Sequence, residues 1–259
     1  MPAVKSAVFK PLLTPFALIA LMFIAPASTS QNEHPALSSL PPQLIWAWER
    51  PEDLRWLPRD VGVAYVAVAI ELEGNKARIY PRANALYVRP DTTMMPVVHV
   101  DASWRAPPAL DDAQAATIVD QVLQATQRTN SQVVQLDFEV RRSQRPFLAA
   151  VVKSIRARLP REKALSMTAL ASWCAGDYWL AHLPADEIVP MAFRMARDDK
   201  QIRNFLAQHG RFQRERCKDA IGTSTDEPVL GIQAARRYFF SPVPWTQTAW
   251  QQLNERKVF

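Results

Sequence analysis

The residues most capable of chemistry are two carboxylates separated by one aromatic residue, in the segment Asp137-Phe138-Glu139. Side chains at positions i and i+2 of a strand point to the same side. Such carboxylates lie roughly 6–7 Å apart, so their charges repel and one pKa rises toward neutrality. Hydrolysis of a glycosidic bond needs such a pair, in which one group protonates the leaving oxygen and the other stabilises charge or directs a nucleophile.

Further polar and aromatic residues follow the ends of other predicted strands. Side chains at the C-terminal strand ends of a β/α barrel form its site, and tryptophan faces can pack against sugar rings. The expected substrate-binding residues are Trp46, Glu49, Asp101, Trp173, Arg194, Asp226, Glu227 and Trp245. The alternative is that Asp137 and Glu139 are buried and held by Arg141 or Arg194, with the tryptophans in the core.

Other reaction schemes have little support in the sequence. The four histidines are scattered, and His99 is interpreted as a strand residue rather than a base. Neither Ser166 nor Ser172 lies in a Gly-x-Ser-x-Gly elbow, and no His-Glu-x-x-His pattern occurs. With six glycines and no Gly-x-Gly-x-x-Gly or Gly-Lys-Ser/Thr loop, the chain is expected to bind no nucleotide, no metal and no other cofactor.

Alternating strands and helices must position these residues. Apolar runs at 44–48, 63–70, 96–101, 133–139, 165–170, 187–193, 220–222 and 237–240 predict eight strands. Helices follow most of them: Asp111 and Ser143 are predicted caps, and Gly210 a terminator. Residues 76–90 predict an inserted hairpin. This alternation predicts an α/β fold, a single-domain irregular (β/α)8 TIM-type barrel without helices after the second and seventh strands. The alternative is an open doubly wound sheet.

The N-terminal segment has the three parts of a secretion signal. Lys5 and Lys10 precede an apolar run over 12–24, and Ala25-Pro26-Ala27 is a typical cleavage pattern. We therefore expect a signal peptide over 1–27, a linker over 28–42 and the barrel domain over 43–259, in a periplasmic or secreted protein. The alternative is an uncleaved membrane anchor.

Charge and cysteine content fit an exported protein. Removal of residues 1–27 takes away two of the 31 basic and none of the 25 acidic residues, which leaves a net charge of +4. No Lys/Arg block typical of nucleic-acid binding occurs, so no nucleic-acid partner is expected. Because disulfides persist outside the cytoplasm, Cys174 and Cys217 are predicted to form one bridge.

Several segments together resemble a bacterial family catalogued as domain of unknown function 3142. They are 135–139, 165–174, 191–195, Cys217 with 221–222, 225–228 and 240–245. The resemblance implies a glycosidase-like barrel. More distantly, Asp137-x-Glu139 is similar to the end of the Asp-x-Asp-x-Glu strand of family 18 glycoside hydrolases, which implies that Glu139 is the proton donor and Asp137 its partner. Gln135 departs from that pattern, because an aspartate is expected there.

Two functional hypotheses follow. The first is an exported glycoside-hydrolase-like barrel acting on a glycan, with Glu139 as acid/base. The second is a non-catalytic barrel that binds carbohydrate or another cell-envelope component. A structural role in an envelope complex is a third possibility, and the sequence predicts no oligomeric state.

Overall fold

The computed structural model describes residues 1–3, 33–103, 105–129, 131–176 and 178–255. Residues 4–27 of the predicted signal peptide lie outside these ranges, as do residues 28–32 of the predicted linker. From Glu33 onward the chain forms one compact unit. Within the described ranges, no helix is long and apolar enough to cross a membrane.

The described residues form eleven strands and five α-helices. The strands are β1 (Gln43–Ala47), β2 (Glu52–Asp53), β3 (Val61–Glu73), β4 (Lys76–Pro81), β5 (Leu86–Tyr87), β6 (Met94–Ala102), β7 (Val133–Phe138), β8 (Ala164–Leu170), β9 (Glu187–Met191), β10 (Ala220–Ser224) and β11 (Arg236–Phe240). The helices are α1 (Asp112–Thr129), α2 (Arg145–Arg158), α3 (Ala171–Ala175), α4 (Asp199–His209) and α5 (Gln247–Glu255).

Eight of these strands close a parallel barrel. Its order is β1-β3-β6-β7-β8-β9-β10-β11, and β11 pairs with β1 in parallel to complete the ring. In the described part of the chain no helix lies between β3 and β6 or between β10 and β11. The structure therefore confirms the predicted irregular (β/α)8 barrel and excludes the open doubly wound sheet.

Alternation along the strands divides the core into an inner and an outer part. On β7, Val133 and Gln135 point into the barrel, whereas Val134, Leu136 and Phe138 pack outward against the helices. All six residues of β7 are buried, which explains why the strand reads as a nearly continuous apolar run. The same alternation carries the inward positions to the open end of the barrel.

The segment before β1 closes the N-terminal end of the barrel. Leu37 and Leu40 are buried among inward-facing residues of the strands, and Arg236 donates hydrogen bonds to Glu33 and to the Leu37 carbonyl. The sequence prediction placed residues 28–42 in a linker, but Leu37 and Leu40, in the described part of this segment, belong to the core.

Local differences from prediction have identifiable causes. The hairpin forms between β3 and β4, because β3 extends beyond the barrel to Glu73 and Gly74 turns the chain with φ 54°. The second predicted run, over 85–88, instead pairs through β5 with β2. The cap predicted at Ser143 was wrong, since a 3₁₀ turn over Arg142–Gln144 precedes α2 and Gln144 bonds back to the Arg141 N–H.

Two predicted helix ends are confirmed. The Asp111 carboxylate accepts the Gln114 N–H at 2.9 Å at the start of α1. Gly210 ends α4 in the left-handed conformation, with φ 69°. Two helices had no sequence prediction: the one-turn α3, and α5, which buries only Trp250 and Leu253. So few buried residues give a weak periodic signal.

Candidate functional site

A cavity of about 580 Å³ opens at the C-terminal ends of the barrel strands. This volume falls in the range of small-molecule sites, roughly 300–1,000 Å³. Its walls carry Trp48, His99, Val100, Asp101, Asp137, Glu139, Leu170, Ala171, Ser172, Met191, Phe193, Arg194, Met195, Ala196, Arg197, Asp198 and Ile202.

Asp101, Asp137 and Glu139 form the acidic floor of this cavity. In the β6–β7 register His99 is opposite Asp137, so the next inward positions along the two strands are Asp101 and Glu139. All four residues line the cavity. The sequence prediction that Asp137 and Glu139 face the same side therefore agrees with the fold, and both lie at the open end.

Asp137 is held from both sides by neighbouring strands. His99 Nδ1 lies 2.7 Å from Asp137 Oδ2, and the Thr168 hydroxyl donates to Oδ1 at 2.5 Å. Thr168 is buried on β8, and Asp137 is itself 5% exposed. Because each carboxylate oxygen has a partner on a different strand, the side chain has little freedom to turn.

The Glu139 side chain is exposed to the cavity rather than sealed in the core. The cavity walls nevertheless remove much of the water around its carboxyl group. This desolvation, together with the negative charges of Asp137 and Asp101, raises the pKa of Glu139 to about 7, against the opposing effect of His99. At neutral pH a large fraction of Glu139 is therefore protonated and able to donate a proton.

His99 is one of the site residues that sequence reasoning did not select. Burial favours the neutral ring, but the hydrogen bond and charge of Asp137, with the charges of Asp101 and Glu139, outweigh it and raise the pKa of His99. The sequence does contain a pattern that indicates this residue. His99 precedes Asp101 by two residues at the end of a predicted strand, so the two side chains are expected on the same face.

The predicted tryptophans lie away from the cavity. Trp46 is fully buried and stacks on Phe240, with ring centroids 4.6 Å apart. Trp173 packs edge-on against Trp179, and Trp245 donates from Nε1 to the Trp46 carbonyl while packing near Trp250. The alternative that places these three rings in the core therefore describes them correctly.

The aromatic surface of the cavity comes from residues near the predicted ones. Trp48 follows β1 and meets His99 edge-on at 5.6 Å, and Phe193 follows β9 and packs 4.7 Å from Phe240. Trp46 lies on β1 and Trp48 lies just beyond its end, two residues further along the chain, so depth in the barrel separates the buried ring from the accessible one.

Glu49 lies outside the cavity and anchors the chain after β4. Its Oε1 accepts the N–H groups of Ala83 and Asn84 and the Asn84 side-chain amide. Burial acts to raise the pKa of Glu49, but these hydrogen bonds and the Arg82 charge lower it overall. The expected substrate-binding role is therefore replaced by a role in fixing a loop.

Arg194 does line the cavity, whereas Asp226 and Glu227 support it from behind. Glu227 Oε2 accepts the Arg194 N–H at 2.8 Å, and an Arg194 guanidinium nitrogen lies 3.5 Å from Asp226. The hydrogen bond from Ser224 lowers the pKa of Asp226, and Arg194 adds to this effect. The arrangement holds the loop after β9 against the end of β10.

The predicted disulfide is confirmed. Cys174 and Cys217 are bonded, with Cα atoms 5.9 Å apart, and both are buried. Within the described ranges, no group of three or more histidine, cysteine or acidic side chains is placed to hold a metal ion.

The chain is similar to several solved structures. A family GH18 chitinase from Chromobacterium violaceum matches with a TM-score of 0.51 and 11% identity, over 83% of this chain and 81% of that one. The Bacillus cereus spore cortex-lytic enzyme SleL matches at 0.44 and 15%, over 70% and 51% of the two chains. The chitinase domain of the Clostridium difficile spore coat protein CotE matches at 0.41 and 16%, over 62% and 52%.

These matches concern the fold alone. The chain spans about half the length of the SleL and CotE structures. No protein-family model matches it, so the resemblance to domain of unknown function 3142 stays a prediction. No curated protein matches it either. The chitinase comparison shows that the chain has a (β/α)8 barrel fold.

Proposed function

We propose that the protein is an exported glycoside hydrolase that acts on a glycan, with Glu139 as proton donor and Asp137 as its electrostatic partner. The observation that carries the proposal is the position of Glu139 in a cavity at the barrel mouth, with a pKa of about 7. General acids work best when their pKa lies near the operating pH.

The two carboxyl groups have different environments and therefore different roles. Asp137 accepts hydrogen bonds from His99 and Thr168, which fix its position beside Glu139. A fixed negative charge stabilises the positive charge that develops on a sugar ring as the glycosidic bond breaks. Glu139, which is partly desolvated, donates the proton to the leaving oxygen.

The other cavity residues suit a sugar ligand. Trp48 and Phe193 offer apolar ring surfaces against which a pyranose can pack. Asp101 and Arg194 offer an acceptor and donors for hydroxyl groups. These residues, rather than the distant structural matches, support the assignment to carbohydrate.

Export to the periplasm or the medium rests on two features. The first 27 residues have the composition of a secretion signal, and the fold contains a Cys174–Cys217 disulfide. Disulfides persist in oxidising compartments and are rare in the cytosol.

The second candidate is a barrel that binds glycan without cleaving it. Gln135 favours it, because this residue occupies the position of an aspartate in the family 18 pattern. Its amide donates to Ser166 inside the barrel at 2.9 Å, so it supplies no acid to the cavity.

Hydrolysis of fluorogenic β-linked oligosaccharides by Glu139→Gln tests the proposal. We expect a loss of about 10²–10⁴-fold in kcat, the usual contribution of a general acid. Glu162→Gln, at an exposed carboxylate, is the matched control and should keep full activity. A Glu139→Gln variant as active as the native protein would exclude the assigned role. Oligosaccharide binding by calorimetry without product would select the binding barrel.

A further inference from the structure

The cavity walls differ in charge from one side to the other. The acidic floor lies at the ends of β6 and β7, whereas Arg194 and Arg197 line the cavity from the loop between β9 and α4. A neutral glycan needs hydrogen-bond partners of either kind, but it needs no cationic wall.

The loop that carries these arginines has an unfavourable backbone conformation. Arg194 has φ 50° and Ala196 has φ 48°, in the left-handed region that residues other than glycine rarely adopt. A strained backbone conformation persists only where surrounding contacts hold it in place, and such conformations are concentrated at ligand-binding sites.

Contacts from two other elements hold the loop in this conformation. Glu227, beyond β10, accepts the Arg194 N–H at 2.8 Å. An Arg203 guanidinium nitrogen on α4 lies 3.6 Å from Glu227, and Arg203 also donates to the Pro228 carbonyl. These contacts hold the loop through the backbone of Arg194, in addition to the exposed pair between its guanidinium and Asp226.

Both arginines have acidic neighbours at ion-pair distance, but these pairs are solvated. The closest approach is 3.5 Å between Arg194 and Asp226, and 3.8 Å between Arg197 and Asp198, and the arginine side chains are 59% and 94% exposed. Exposed ion pairs of this kind contribute little. A guanidinium has five N–H donors in a planar fork that matches a carboxylate, so donors remain for a ligand.

We propose that Arg194 and Arg197 select glycans bearing a carboxylate, which they bind at the β9–α4 side of the cavity while the acidic floor faces the scissile bond. This inference rests on the proposed function, since it assumes that the cavity takes a glycan. Repulsion by the acidic floor keeps a charged substituent away from Glu139 and thereby orients the sugar chain.

Calorimetry with matched tetrasaccharides tests the inference without requiring catalysis. The probes are the neutral β-1,4-linked N-acetylglucosamine tetramer and two carboxylated counterparts, one with 3-O-lactyl ethers on alternate rings and one oxidised at C6. We expect at least one carboxylated probe to bind about tenfold more tightly than the neutral one, and sodium chloride to weaken that binding selectively.

The variants assign the preference to the loop. Arg194→Gln with Arg197→Gln should remove the preference, so that this variant binds the carboxylated probes no more tightly than it binds the neutral tetramer. Arg161→Gln, an exposed arginine before β8 at the opposite end of the barrel, should leave the preference intact. Equal binding of all probes, or a preference retained in the double variant, would overturn the inference and leave the proposed function standing. No binding of any probe would overturn both.

Discussion

The barrel contains two centres built around a glutamate, and they differ in what surrounds the carboxyl group. Glu139 belongs to the acidic floor and opens into the cavity. Glu187, on β9, lies in the interior at 6% exposure, within a group that we call the lower polar layer. Its members are Gln135, Ser166, Glu187, Arg236 and Tyr238.

The contacts of Glu187 occupy both oxygens of its carboxylate group. Arg236 lies 2.5 Å from Oε1, and the hydroxyls of Ser166 and Tyr238 donate to Oε2 at 2.6 and 2.7 Å. Burial and the charge of Glu187 raise the pKa of Tyr238 well above its ordinary value, so its hydroxyl stays a neutral donor. The result is a buried ion pair in which both carboxylate oxygens of Glu187 have protein partners.

Glu139 has the opposite environment. Among the described residues, His99 is the positive group that opposes its raised pKa. A carboxyl group with a proton near neutrality and access to a cavity can exchange that proton with a ligand. The comparison shows that the same residue type in one barrel is structural or chemically active according to its partners and its access to solvent.

The largest expected effect on stability is at Glu187. Glu187→Gln removes the buried counter-ion of Arg236 and leaves it the half-exposed Glu33, 3.0 Å away. Breaking a buried pair costs about 3–5 kcal/mol. Urea unfolding should show this loss, whereas Glu139→Gln should change the free energy of unfolding by about 1 kcal/mol or less.

A double variant sharpens this difference. Replacing Glu187 with Met and Arg236 with Leu removes both charges together, which is often neutral for stability. We expect it to unfold at higher urea than Glu187→Gln. Equal destabilisation by Glu187→Gln and Glu139→Gln would contradict the division into a structural and a chemical centre.

A smaller effect is expected at His99. His99→Asn removes a charge-assisted hydrogen bond to Asp137, worth about 1.5 kcal/mol, or roughly tenfold in kcat. Because the His99 charge lowers the pKa of Glu139, its removal should also move the alkaline limb of the pH–rate profile to higher pH. A purely structural role would reduce activity without moving that limb.

The smallest effect concerns stability against pH. A folded-state pKa of about 7 for Glu139, above its unfolded value, means that the folded protein loses stability as pH rises from about 4.5 to 7. Glu139→Gln lacks this loss. Thermal unfolding at pH 8 should therefore give the variant a free energy of unfolding that exceeds that of the native protein by about 1 kcal/mol or less. At pH 4 the two free energies of unfolding should be equal. A gain that is larger at low pH would have the wrong sign.

The sequence predicted the barrel and the acidic pair because both depend on local patterns. Buried parallel strands appear as apolar runs, and two-residue alternation places Asp137 and Glu139 on one side. The tryptophans were misplaced because alternation does not report depth, as Trp46 and Trp48 show. The contacts of Asp137 with His99 and Thr168 depend on the register between three strands, which no local pattern specifies.

The central claim is that Glu139, which opens into the cavity, carries a proton near neutral pH. Titration of side-chain carboxyl carbons by NMR, with Glu139→Gln to assign the resonance, measures it directly. We predict a midpoint of about 7 for Glu139, which disappears in the variant. A midpoint near 4.5, the ordinary value for a glutamate, would contradict the account.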